Sequence, residues 1–79
     1  MKQVNINAIE KLIKQYYESA SELLEYTDKH WDAMYYDIQG YYGALNEEPE
    51  YIDVDVLNKQ IKAVNMLLDA HKSLNYIYG

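Results

Sequence analysis

Two histidines, three serines and thirteen carboxylates are the side chains of this 79-residue sequence with the chemistry of proton transfer, nucleophilic attack or metal binding. Their spacing argues against each. His30 and His71 stand in neither an HExxH nor a Glu-x-x-His arrangement, so no two ligands share a helical face. Both fall on apolar helical stripes, where an imidazole commonly borders a core with one nitrogen hydrogen-bonded. Ser19, Ser21 and Ser73 have no base close in sequence, and no Gly-rich phosphate loop is present. The run Asp53-Val-Asp55-Val-Leu57-Asn58 begins as a calcium loop does. Its fifth position is Leu, its sixth is not Gly, and its twelfth would be Val64 where an EF-hand needs a bidentate Glu. With no cysteine, thiolate sites and disulfides are excluded together. The expectation is a protein that is not an enzyme, with no catalytic residue, cofactor or metal.

The carboxylates are more informative as a charge distribution. Eleven of them lie between Gln15 and Asn58 against the single Lys29, a formal charge of −10, while both ends are net basic through Lys2, Lys11, Lys14, Lys59, Lys62 and Lys72. Such a field repels nucleic acid and anionic membrane and attracts basic surfaces. Direct nucleic-acid binding has no support, because the chain lacks arginine altogether and has few lysines to neutralise phosphates. A membrane-surface helix needs a basic polar face, and here that face is acidic. Glu18, Glu22, Glu25, Asp28 and Asp32 step along one outward helical face. Glu47, Glu48, Glu50, Asp53 and Asp55 crowd nine residues around Tyr51. A solvated outer face is the ordinary reading of such a row; what it explains poorly is the near absence of lysine partners, since like charges at i, i+4 destabilise a helix by a few tenths of a kcal/mol. An i to i+4 rise of ~6 Å is comparable with two nucleic-acid base steps of ~3.4 Å, so the row can present charge as a phosphate backbone does.

Ten tyrosines, one tryptophan and no phenylalanine make every aromatic amphipathic, a composition suited to boundaries and interfaces. Tyr35-Tyr36 and Tyr41-Tyr42 are doublets on one helix. Adjacent helical residues diverge by about 100°, so at least one of each pair should point away from the core. Tyr36 and Tyr42 are the expected projecting members, with Tyr35 continuing the stripe.

These side chains must be positioned by helices. Ile9, Leu12, Ile13, Tyr16, Ala20, Leu23 and Leu24 recur at i, i+3, i+4, i+7 and predict a helix over about 7–26, capped by Asn5 or by Asn7 with Glu10 in a capping box. Trp31, Met34, Tyr35, Ile38, Tyr41, Tyr42 and Leu45 predict a second over 28–45, with Gly40 and Gly43 marking close helix approach or frayed final turns. The periodicity crosses the junction without a Pro or Gly, so one continuous rod competes with a bend at Thr27-Asp28; the bend is favoured. Pro49 interrupts the acidic loop 46–53. Asp53 or Asp55 then caps a third helix over 54–77, with the stripe Leu57, Ile61, Val64, Leu67, Leu68, His71, Leu74 and Ile77. The expected fold is all-α, a single domain over 1–79, either a three-helix bundle or a long helical hairpin. A core this small commonly needs help, so a homodimer is expected to complete it. No signal or membrane-spanning segment is read, and a cytoplasmic location is expected.

The function expected on these grounds is a small acidic protein-binding module: an antagonist that occupies the basic, nucleic-acid-binding surface of another protein. In size, charge and expected fold it is similar to the small acidic inhibitors of phages and mobile elements, nucleic-acid mimics among them, without a shared motif. The alternatives are a self-associating structural or regulatory homodimer and an antitoxin or immunity partner.

Overall fold

The computed structural model describes residues 5–78, without the Tyr78 side chain; Met1 to Val4, including Lys2, and Gly79 lie outside the described residues. Three α-helices form: α1 Ile6–Leu24, α2 Trp31–Glu47 and α3 Val54–Tyr78, with a single 3-10 turn, Pro49–Tyr51, between the last two. The all-α three-helix bundle is therefore the architecture. Among the described residues no helix is long and apolar enough to cross a membrane.

Each boundary has a local cause. Asn5 starts α1, its side-chain oxygen accepting from the Ala8 amide at 3.0 Å. Glu10 does not form the capping box with Asn7; it pairs with Lys14 at 3.2 Å. The rod is broken after Leu24. The Leu23 carbonyl accepts from Tyr26 and Thr27, and the Thr27 hydroxyl accepts from the Lys29 amide at 3.2 Å, closing a turn through residues 25–30. Thr27 and Asp28 thus shape the turn, and α2 opens three residues later with His30 at its amino end and no side-chain cap. Asp53 caps α3 by accepting from the Val56 amide at 3.1 Å. The segment 46–53 is less loop than expected: Asn46 and Glu47 complete α2, and Pro49 opens the 3-10 turn.

The chain runs up, down and up. Tyr16 of α1 reaches Asp37 and Tyr41 of α2, while Ser19 donates to Asn65 and Glu22 pairs with Lys72, so α1 and α3 lie parallel. The core is the predicted stripe of α1 (Ile9, Ile13, Tyr16, Ala20, Leu23) closed by Met34, Ile38 and Leu45, by Ile52 of the link, and by Leu57, Ile61, Val64 and Leu68. On α3 the stripe outruns its cover. The contacts of α1 end near His71, which stacks on Tyr26 at 6.1 Å. Beyond it Leu74 and Ile77 are 50% and 68% exposed, and Leu67 on the flank is also exposed, against the expectation that all three belong to the core. The overhang stretches the molecule to 51 × 19 × 16 Å, with a radius of gyration of 14.1 Å in place of the ~12 Å of a compact chain. Gly40 and Gly43 correct a second expectation. α2 continues helical past both, and a Cβ at either would meet nothing within 4 Å, so neither serves close helix approach.

Two contrasts test this packing by urea unfolding. Leu23→Ala or Ile61→Ala should each cost about 2–5 kcal/mol as buried truncations, whereas Leu74→Ala should cost under about 0.5 kcal/mol. Gly43→Ala should stabilise by about 0.5–1 kcal/mol, because helix entropy improves and nothing is displaced.

Candidate functional site

Three side chains flagged in the sequence meet in one groove: Tyr36, Tyr51 and Asp53. Tyr36, Gly40 and Ala44 lie at i, i+4 and i+8 on one face of α2, and the two small residues leave a trough behind the tyrosine. The 3-10 turn supplies Tyr51, the link supplies Ile52 and Asp53, and Gln60 of α3 closes the far wall beside Asp37 and Tyr41. The groove is shallow and open to solvent, with a volume of about 360 Å³, the lower end of the range for small-molecule clefts. Tyr36 and Tyr51 stand at its rim, 80% and 76% exposed. Glu47, Glu48, Glu50 and Asp55 are exposed neighbours along the same connection.

Asp37 and Gln60 were not singled out in the sequence, and Tyr41 only as a member of a doublet and of the α2 stripe; together the three organise the groove. The Asp37 carboxylate oxygen Oδ2 accepts from the Tyr16 hydroxyl at 3.4 Å and from Gln60 Nε2 at 3.3 Å, while Tyr41 donates to Gln60 Oε1. All three helices are joined through these four side chains. Both bonds to Asp37 fall on one oxygen, and among the described residues Oδ1 accepts none. Burial, the Asp37 charge and its hydrogen bond push the Tyr16 hydroxyl from 10 up to about 12. The Tyr41 hydroxyl is raised for like reasons, burial first, then the carboxylates of Asp37 and Asp53. No local spacing marks this cluster, because the partners of Asp37, Tyr16 and Gln60, lie 21 and 23 positions away in sequence.

The other expected residues are placed elsewhere. Tyr42 does not project; it and Tyr41 are both half-buried against the core, because they straddle the Ile38–Leu45 line and a helix with two neighbours covers both flanks. Tyr35 is in turn more exposed than the stripe implied, tilted against Trp31 at 5.5 Å. Glu18, Glu22, Glu25, Asp28 and Asp32 are all exposed, but none lines the groove; they run from two residues past Tyr16 in α1, through the turn, to the start of α2. About 22 Å of helix rise separates Asp32 from Glu47. Glu22, expected to lack a cation, meets Lys72 of α3 at 2.9 Å, and the Lys72 ammonium is raised above its usual value by that hydrogen bond. Among the described residues no group of three or more His, Asp or Glu could hold a metal ion, and neither histidine ring makes a hydrogen bond.

The buried hydroxyl makes a pH signature. Tyr16 holds its proton more tightly folded than unfolded, so its contribution is complete below pH 10 and is lost as pH climbs through about 12. Urea midpoints taken from neutral pH to the alkaline limit should fall over that window. Tyr16→Phe should cost about 1 kcal/mol at pH 7 and flatten part of the alkaline fall; an unchanged alkaline profile would show that Tyr16 is not the group responsible. Compared with protein-family models, with curated proteins and with solved structures, the chain shows no match.

Proposed function

We propose that this chain is a protein-binding module that docks its acidic surface on a basic, nucleic-acid-binding face of another protein and so blocks that face. The observation that carries the reading is the groove. Two exposed tyrosines and two carboxylates line it, and Glu47, Glu48, Glu50 and Asp55 are exposed along the connection that supplies one of its walls. Exposed aromatics supply binding energy, and a surrounding field of one sign steers an oppositely charged partner and fixes its register. The carboxylates Glu18 to Asp32, which line no part of the groove, add long-range attraction more than contact.

The test is affinity capture by the immobilised chain from the cells that encode it, followed by competition on the protein retained. Retention should weaken steeply as salt rises from about 0.15 M, where the Debye length is ~8 Å, to about 1 M, where it is ~3 Å. The captured protein should lose its nucleic acid when the chain binds. Replacing Glu47, Glu48 and Glu50 with Gln should weaken binding more than replacing Glu18, Glu22 and Glu25, since only the first set borders the groove. Partner that takes up nucleic acid normally while bound overturns the antagonist reading.

A second reading, self-association, is favoured by the uncovered end of α3. Met66, Leu67, Leu74 and Ile77 leave an apolar face that none of the described residues covers, and Lys62, Asp69 and Lys72 leave that helix without the acidic excess that would oppose pairing. Sedimentation at micromolar concentration should then give a dimer that Leu74→Glu with Ile77→Glu converts to monomer. A strictly monomeric parent removes this reading.

A further inference from the structure

We propose that the groove between α2, the 3-10 turn and α3 is an arginine subsite, taking one guanidinium side chain from a basic partner. The inference rests on the reading of the partner as basic and adds the residue that is recognised.

The lining matches an arginine from end to end. Its floor is nearly bare, since Gly40 has no side chain and open space above it and Ala44 adds one methyl. An aliphatic stem can lie there against Ile52, as long cationic side chains do on apolar surface. At the rim, the exposed rings of Tyr36 and Tyr51 offer π-faces on which a planar, weakly hydrated guanidinium stacks. Two carboxylates line the same space. Asp37 is held through Oδ2 by Tyr16 and Gln60, which leaves Oδ1 to accept. Asp53 caps α3 through Oδ1, which leaves Oδ2. Neither forms an ion pair among the described residues, so the groove presents acceptor charge without an internal cation. Oxygens held in place before binding lose little freedom when a donor arrives.

Other occupants fit less well. An apolar side chain would take water from Asp37 and Asp53 and return no hydrogen bond, a desolvation cost without compensation. An anion is repelled. A lysine satisfies the charge, but its ammonium is a strongly hydrated point that neither stacks on the rings nor forks between two carboxylates.

The probes are two capped peptides of equal length and charge, hexa-arginine amide and hexa-lysine amide, titrated into the intact chain by calorimetry and by amide NMR at low salt. The arginine peptide should bind about fivefold to tenfold more tightly, and its largest shifts should fall on Tyr36, Gly40, Ala44, Tyr51 and Asp53. Tyr36→Ala with Tyr51→Ala should erase the difference between peptides while leaving their common salt-sensitive binding. Gly40→Leu, whose Cβ would meet nothing within 4 Å, should fill the trough with its outer carbons and do the same in a chain whose helix content is unchanged. Equal affinity for the two peptides, or shifts confined to Glu47, Glu48 and Glu50, would overturn the subsite. That failure is distinct from failure of the antagonist reading: a captured partner that keeps its nucleic acid would sink the antagonist and leave arginine selectivity intact.

Discussion

Among the described residues, the Asp37 carboxylate is the one charged group tied simultaneously to all three helices. Through Oδ2 it receives Tyr16 from α1 and Gln60 from α3, and Gln60 in turn receives Tyr41 from Asp37's own helix. Elsewhere the interior is apolar, and apolar packing tolerates small slides of one helix along another at modest cost. A directional contact shared by three helices does not. Sliding α3 by one turn would break the hydrogen bonds of Gln60 to Asp37 and Tyr41, each worth about 0.5–1.5 kcal/mol net. The network therefore sets the register in which Tyr51 and Asp53, carried on the link, come to rest beside Tyr36.

The periodic part of this architecture was legible in the residues. Ile9, Ile13, Tyr16, Ala20 and Leu23 are buried where their spacing placed them, and Asn5, Pro49 and Asp53 act as caps and breaker by local chemistry alone. What sequence spacing leaves open is how far a neighbour extends. Leu74 and Ile77 continue the α3 stripe faithfully yet face solvent, because a helix wheel records direction and not whether another helix reaches that level. Tyr42 failed for the complementary reason: two flanking helices half-cover residues that a one-sided stripe would send outward. Of the site, Tyr36, Tyr51 and Asp53 were visible as exposed aromatics and an acid near the link. Asp37 and Gln60 were not, since a polar contact 23 positions apart in sequence leaves no local pattern.

The bundle also sets its charges against its own dipoles. Parallel α1 and α3 bring two amino termini, partially positive, toward the end that carries Asp53 and Asp55, where carboxylates are favoured. At the other end α1 terminates among Glu22, Glu25 and Asp28 with no basic residue in its last turn, which opposes its dipole. The Lys72 contact to Glu22 offsets part of this from a neighbouring helix. Helix α2 runs the other way, so Asp32 sits favourably in its first turn while Glu47 and Glu48 close its carboxyl end without a basic residue, and each acidic region holds carboxylates of both kinds.

The overhang of α3 has its own consequence for motion. Beyond His71 the helix keeps its backbone hydrogen bonds but loses the side-chain burial that ties backbone opening to global unfolding. Its terminal turns are therefore a separate cooperative unit with a low opening free energy. Their amides exchange with solvent by local fraying while those of Leu57 to Leu68 wait for the whole bundle to open. A protease can trim this arm and leave a folded domain behind. Any surface that orders the arm must also supply the conformational entropy of doing so, which makes contacts there weaker per unit area than contacts made at the rigid groove.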